Sequence, residues 1–283
     1  MKPAPFDYAR AANLEEAIGL LAAADGDARP LAGGQSLGPM LNLRIARPTL
    51  LVDLSPVSEL REVSEDEDGV TIGASVVHSA VEDGEVPDPT AGLMRRAASG
   101  IAYRAVRNRG TVGGSLAHAD PAGDWAPVMM ALGASLGIRG PEGGRSVEAD
   151  AFIADPLTTV LERGEIVEAI RVPRLSDGAS WGHCKLCVKP GDFAESLAVA
   201  VIDPDRGHCR VALAGPTRAP ILLEEVAGTI AGADSWSDAL AGEIKDAAGR
   251  EIAAAGFADT GDRYAMNVHS TVTVRAAREA LSR

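Results

Sequence analysis

The sequence is poor in cysteine, in aromatic side chains and in basic charge, and each shortage removes a class of protein. Three cysteines among 283 residues cannot close a disulfide framework, nor can they supply the four ligands that a structural zinc or an iron–sulfur cluster normally takes. Cys184-Lys-Leu-Cys187 has the spacing of a redox pair. In a strand, however, residues three apart point to opposite faces, so a bridge there would be strained and both read as packing residues. Aromatics make up only 4% of the chain, which leaves the core to Ala, Val, Leu and Ile. With 27 basic against 40 acidic side chains the net charge is -13, which argues against nucleic acid or an anionic membrane as the main partner. No stretch reaches the roughly 18 apolar residues of a membrane span. The N-terminus carries only Lys2 and no apolar run of signal length. These absences together predict a soluble, cytoplasmic protein. There is also no G-x-G-x-x-G, no P-loop, no H-E-x-x-H and no G-x-S-x-G. No catalytic side chain and no metal ligand is therefore assigned.

What is present is glycine, twice in adjacent pairs. In Arg107-Asn-Arg-Gly-Thr-Val-Gly-Gly-Ser-Leu-Ala-His-Ala-Asp-Pro121, Gly113 and Gly114 follow β-branched Thr111 and Val112. That order predicts an extended segment running into a turn with uncovered backbone amides, a nest for phosphate oxygens. Asp120-Pro121 reads as an N-cap with a first-turn proline, opening the apolar helix Trp125 to Leu132. An earlier loop of the same kind is Leu31-Ala-Gly-Gly-Gln-Ser-Leu37. One Gly-Gly pair alone marks an ordinary turn as readily as a ligand site. Two amide-rich loops suit one long ligand with a pyrophosphate at its middle.

With its flanks, Ala32-Gly-Gly-Gln-Ser-Leu-Gly-Pro-Met-Leu-Asn-Leu-Arg44 resembles the first FAD loop of the flavoprotein (medium) subunits of molybdenum hydroxylases, and Arg107 to Pro121 resembles the second. The resemblance to this carbon monoxide dehydrogenase and xanthine dehydrogenase family runs over essentially the whole chain. It implies that Ala32, Gly33, Gly34, Gln35, Ser36 and Leu37 wrap the FAD pyrophosphate, with Thr111, Val112, Gly113, Gly114 and Ser115 facing them. Asp124 matches an aspartate that contacts the flavin, against the alternative of a charge stabilising a first helical turn. Ile101 and Val167 match apolar cofactor-lining positions, Lys185 a basic one near the flavin, and Phe193 a position close to the isoalloxazine. Simple core or surface roles are the alternative for these four. The turn Ala214-Gly-Pro-Thr-Arg-Ala219 is shorter than relatives carry. The cluster-bearing insertion of the benzoyl-CoA type is missing.

Periodicity supplies the elements in order. Asn13-Leu-Glu-Glu16 has the form of a capping box opening a helix to near Asp25. Strands follow at Arg29 to Ala32 and Thr49 to Leu54, around a short helix from Leu37 to Leu43. Val70 to Gly73 reads as a strand, Val76 to Val81 as a short helix, and Thr90 to Ala105 as one continuous helix. His78 there reads as a packed or surface residue. Arg104, Arg107 and Arg109 either balance the phosphates, dock a partner or form a solvated face. Ser135 to Arg139 and Ser146 to Ala149 form a hairpin, and Glu165 to Val172 a further strand. Beyond Arg174 to Gly178, strands at Ser180 to Lys189, Glu195 to Ile202 and Arg210 to Ala214 precede helices at Ala219 to Ala231, Trp236 to Ala255 and Met266 to Leu281.

The expected architecture is α+β. A two-subdomain FAD-binding fold of the vanillyl-alcohol-oxidase/PCMH type (1–55 and 56–175) is followed by a C-terminal domain (176–283) of a three-stranded antiparallel sheet with helices. The resemblance implies an FAD-carrying electron-transfer subunit. Its partners would be a molybdenum-cofactor large subunit and a two-iron iron–sulfur small subunit, in a dimer of heterotrimers. The external acceptor would be NAD, a quinone or oxygen. The rivals are a self-sufficient flavin oxidase or reductase, and an assembly subunit that holds no FAD.

Overall fold

The computed structural model describes residues 2–233, 235–258 and 261–283. Its first unit runs β1 (Asp7–Arg10), α1 (Leu14–Ala23), β2 (Ala28–Leu31), α2 (Leu37–Asn42) and β3 (Leu50–Asp53). The Asn13 side chain caps α1 by accepting the Glu16 amide at 2.9 Å, while Glu16 reaches back to the Ala12 amide at 2.7 Å. This satisfies donors that a helix N-terminus leaves orphaned. β1 and β2 both run parallel to β3, in the order β1-β3-β2. Parallel neighbours need crossovers, which α1 and α2 provide. The first glycine loop therefore leaves the carboxyl end of β2, the end of a parallel sheet at which α/β proteins bind ligands.

The second unit contains β4 (Val63–Asp66), β5 (Gly69–Gly73), α3 (His78–Asp83), α4 (Leu93–Ser99), α5 (Arg104–Arg107), α6 (Val112–His118) and α7 (Trp125–Leu132). It continues through β6 (Ser135–Gly140), β7 (Gly143–Glu148), α8 (Ala149–Phe152), β8 (Ile153–Asp155), β9 (Thr158–Thr159) and β10 (Ile166–Pro173). Its antiparallel sheet has the order β4-β5-β10-β6-β7. Every residue of α7 is buried, as its uninterrupted apolar run requires.

Two expectations fail in this unit. The helix expected over Thr90 to Ala105 breaks after Ser99: Gly100 ends α4, Ala102 takes a φ of 41°, and the chain restarts as the short α5. The break lifts Ile101 out of a helix face. Asp120-Pro121 does not open α7 either. Asp120 accepts the Ala122 amide through its side chain and the Gly123 amide through its carbonyl, making a turn, and the N-cap of α7 is Asp124.

The third unit is β11 (Ser180–Leu186), β12 (Ser196–Asp203), β13 (His208–Gly215), β14 (Arg218–Leu222), α9 (Glu224–Ala231), α10 (Asp238–Ala254) and α11 (Arg263–Leu281). The antiparallel C-terminal sheet stands as expected, but with four strands, β11-β12-β13-β14, rather than three. Ala219 to Leu222, expected as the start of a helix, is instead in β14. Its Pro220 is tolerated because β14 is an edge strand. Alternation along β12 splits the sheet between two cores. Leu197, Val199 and Val201 join the core built around α7, while Ala198 and Ala200 pack with Ile244 of α10 and Ala276 of α11. α11 lies so close to β11 that a methyl on Gly182 would sit 1.9 Å from the Ala276 carbonyl oxygen.

Candidate functional site

The site forms because two stretches distant in sequence pair locally. The chain leaving β5 lies against the segment entering α6: the His78 amide donates to the Gly110 carbonyl at 2.9 Å, the Val112 amide to Val76 at 3.0 Å and the Gly113 amide to Ala74 at 2.9 Å. A lone antiparallel bridge joins Val77 to Thr111. The first glycine loop docks on this pair. A methyl on Gly33 would lie 2.0 Å from the Arg109 carbonyl oxygen and 2.9 Å from the Gly110 Cα, so only glycine permits that approach. Between the loops opens a cavity of about 630 Å³, within the size range of cofactor sites.

The two loops differ in what their amides do. Among the described residues, no hydrogen-bond acceptor meets the amides of Gly33, Gly34, Gln35 or Ser36, and all four residues line the cavity. Gly34 holds a φ of 71°, and Gln35 folds its side chain back onto the Gly33 carbonyl at 3.2 Å. The second loop is not the open turn that its Gly-Gly suggested. Gly113 and Gly114 lie in the first turn of α6, capped by Thr111, whose hydroxyl accepts the Gly114 amide at 3.0 Å. The Ser115 amide goes to the Thr111 carbonyl at 3.0 Å. With Val112 and Gly113 bonded to the chain leaving β5, every amide from 112 to 115 has a protein partner. The uncovered-amide reading thus holds for the first loop and is corrected for the second, which contributes a wall.

The remaining assigned positions are distributed around that wall. Ile101, Asp124, Val167 and Phe193 line the cavity. The pairing of β10 with β6 shifts register between Val167 and Ala169. Such a bulge re-aims side chains, and it lets the adjacent residues Ile166 and Val167 both face the cavity. Phe193 stands at the rim, 65% exposed. Val112 and Lys185 are not on the cavity wall: Val112 is fully buried beneath the second loop, and Lys185 lies one residue back. The Lys185 ammonium reaches both Asp124 carboxylate oxygens, at 2.8 and 3.0 Å, and the Gly100 carbonyl at 3.3 Å. Burial pushes the Asp124 carboxyl upward against the opposing pull of Lys185. Asp124 stands at the N-cap position of α7 but makes no side-chain cap bond to it, its carboxylate being bonded to Lys185 instead.

Two arginines of the cluster, Arg104 and Arg107, are paired with carboxylates. Arg107 pairs with Glu82 at 2.7 Å and donates to the Ile101 and Ala102 carbonyls, while Arg104 pairs with Glu82 and Asp83. These bonds hold the broken α4–α5 corner in place. His78 is packed, as expected, but it also lines the cavity together with Ser75 and Tyr103. None of these three was marked by the sequence, because their approach depends on the pairing of the chain after β5 with the entry to α6. Burial, reinforced by the Arg107 charge, pushes the His78 imidazole down to about 4.

Comparison with known proteins agrees in sequence and in shape. A family described as "FAD binding domain in molybdopterin dehydrogenase" matches residues 4–175. The chain is 38% identical to the carbon monoxide dehydrogenase medium chain of Hydrogenophaga pseudoflava, over 75% of each protein. It is 40% identical to the glyceraldehyde dehydrogenase medium chain of Sulfolobus acidocaldarius, over 71% of each. Among solved structures, carbon monoxide dehydrogenase from H. pseudoflava superposes with a TM-score of 0.91 at 33% identity, covering 100% of this chain and 99% of that one. Quinoline 2-oxidoreductase from Pseudomonas putida 86 gives 0.85 at 32% identity, with 100% and 99% covered.

Proposed function

The chain belongs to the family of FAD-binding domains of molybdopterin dehydrogenases, and from that premise we propose that it takes electrons from an iron–sulfur subunit and delivers them to an external acceptor. It is the FAD-binding subunit of a molybdenum hydroxylase, an oxidoreductase. No described helix is long and apolar enough to cross a membrane, and we place the complex in the cytoplasm. The partners in this reading are a molybdenum-cofactor large subunit and a two-iron small subunit, assembled as a dimer of heterotrimers. The acceptor is NAD, a quinone or oxygen.

The observation that carries the reading is the row of unpartnered amides at residues 33–36, facing a cavity that the second loop closes. Four amides without acceptors beside a left-handed glycine form an anion cradle. A Cβ at Gly33 or at Gly113 would fill the space the loops need, lying 2.0 Å from Arg109 and 2.4 Å from Ala74 respectively. These residues fit an extended diphosphate-bearing cofactor. FAD, when bound, supplies exchange between one-electron and two-electron carriers. The chain's own residues bind and orient. In this assignment Ala32 to Leu37 hold the diphosphate, Thr111, Gly113, Gly114 and Ser115 shape the opposite wall over the buried Val112, and Ile101, Val167 and Phe193 keep water from the ring system. Asp124, fixed by Lys185, presents a carboxylate oriented by a buried partner. No side chain is required as an obligatory acid or base.

The test is to purify the chain, record its visible spectrum, and mix it anaerobically with dithionite-reduced two-iron subunit in a stopped-flow instrument. A flavin band that bleaches on mixing is expected. A coloured protein that never bleaches but turns over substrate alone supports a self-sufficient oxidase. A colourless protein that takes up no added FAD supports an assembly role.

A further inference from the structure

The His78 side chain is fixed in one tautomer. It is only 4% exposed, and its Nδ1 accepts a hydrogen bond from the Trp125 indole Nε1–H at 3.1 Å. Indole is a donor only, so Nδ1 must carry a lone pair and the ring proton of a neutral imidazole sits on Nε2. Among the described residues that Nε2–H meets no acceptor. It differs from the ring nitrogens of His183, which are likewise unpartnered but sealed inside the protein, because His78 borders the cavity. Gly110 makes room for it: a methyl there would lie 2.8 Å from Nε2. Gly110 is also the residue on which Gly33 docks. The imidazole thus stands behind the crossing of the two glycine loops, one residue's thickness from the free amides. Unlike the His183 nitrogens, Nε2 opens on the cavity, so its N–H is placed to donate to an acceptor that arrives with a ligand.

We propose that His78, with its tautomer set by Trp125, is a positioning residue whose Nε2–H donates a hydrogen bond to an acceptor oxygen of bound FAD. The inference rests on the FAD reading above. The oxygen belongs either to the diphosphate or to a carbonyl of the isoalloxazine, and the same chemistry serves both. Because the ring stays neutral at physiological pH, burial being the main cause and the Arg107 charge adding to it, the bond involves no proton transfer. Trp125 acts through the histidine. Its indole keeps the proton off Nδ1, and without it the neutral ring is free to turn its lone pair toward the cavity.

The experiment compares FAD affinity, by flavin fluorescence titration of the deflavinated full-length chain, in wild type, His78→Leu, His78→Gln and Trp125→Phe. Glutamine places an amide N–H donor near the position of Nε2. Loss of about tenfold in affinity is expected for His78→Leu, the scale of one hydrogen bond to a polar or charged acceptor. Recovery to within about threefold is expected for His78→Gln, with an intermediate value for Trp125→Phe. In wild-type chain labelled with 15N-histidine, His78 should show a protonated Nε2 whose resonance moves on adding FAD. ADP has the diphosphate without the isoalloxazine. If its affinity falls in step with that of FAD, the acceptor is a phosphoryl oxygen. If ADP binds unchanged while the flavin band of the FAD complex shifts, the acceptor is a ring carbonyl. Unaltered FAD affinity in His78→Leu overturns the proposal, as does equal weakening in His78→Gln, or a proton found on Nδ1. A wild-type chain that binds no FAD defeats the functional reading and this inference with it, whereas wild-type binding with an indifferent His78 defeats only the inference.

Discussion

The two glycine pairs use the same letters for opposite ends. At Gly33-Gly34 the missing side chains let a loop approach the Arg109–Gly110 backbone and adopt a left-handed turn, and the amides that result stay free. At Gly113-Gly114 the missing side chains let α6 begin against Ala74 and under the Thr111 hydroxyl, and the amides are consumed by that packing. The first pair leaves backbone amides unpartnered in residues that line the cavity. The second removes bulk so that a wall can stand close to it. A Gly-Gly motif therefore states that backbone comes near something, and only the hydrogen-bond partners of its amides tell whether that something is a ligand or the protein itself.

Replacing Gly113 is the strongest way to break this contrast. Valine there would bring its Cβ to 2.4 Å from the Ala74 Cβ, 2.7 Å from its Cα and 2.8 Å from its carbonyl oxygen, to which the Gly113 amide is bonded. The expected cost is about 4 kcal/mol, above the usual range for overpacking because backbone atoms must move. It should appear in the FAD-free protein as a lowered urea midpoint. If Gly113→Val unfolds at the wild-type midpoint and loses only FAD, the second loop is a ligand loop after all.

Acid gives a weaker and reversible perturbation of the same wall. His78 is held at about 4 in the fold, against an ordinary value near 6.5. The unfolded chain therefore takes up the proton first, and stability is complete above about pH 7 and declines as pH falls from about 6.5 toward 4. At pH 5 this amounts to about 2 kcal/mol for His78. His183, pushed down to about 4 chiefly by burial and further by Arg96 and Lys185, adds a loss of the same sign. Urea midpoints of wild type and His78→Gln between pH 5 and 7 check this. The variant should show a shallower slope, and parallel slopes would mean that His78 does not titrate out of the fold.

Much of the fold was legible because its signals are local. The Asn13–Glu16 cap and the apolar runs of α7 and β12 each follow from a few adjacent residues. What escaped notice depends on distant partners. The break after Ser99 is stabilised by Arg107 donating to the Ile101 and Ala102 carbonyls, and nothing within residues 90–105 announces Glu82 holding that arginine. The fourth strand hid because Ala219 and Leu222 suit a helix as well as an edge strand. At the site, the letters of both loops were readable, but the destination of the second loop's amides was not. It is set by the chain leaving β5, and the same pairing brings His78 to the cavity. Lys185, expected near the flavin, is off the cavity wall and bonded to Asp124, which is on it, a distinction of one layer that only coordinates can draw.

The mildest substitution is the sharpest comparison. Gly34 lies at a φ of 71°, and a methyl there would be 3.3 Å from the Leu31 Cδ1, the movable tip of a side chain. Sterics alone would allow Gly34→Ala, and the penalty is conformational, about 1–2 kcal/mol for an L-residue in the left-handed region. In the FAD-free protein the loop can escape this penalty by relaxing, since its amides bond to nothing that must be broken. The urea midpoint should barely move. Holding the diphosphate requires the left-handed turn, so the penalty should reappear as affinity for FAD about 5–30-fold weaker. Measured on one preparation, the two loops then dissociate: stability falls in Gly113→Val, and binding falls in Gly34→Ala. Should Gly34→Ala instead lower the urea midpoint and leave FAD affinity intact, the free amides of the first loop are not the cradle, and the contrast between the loops fails at its simpler end.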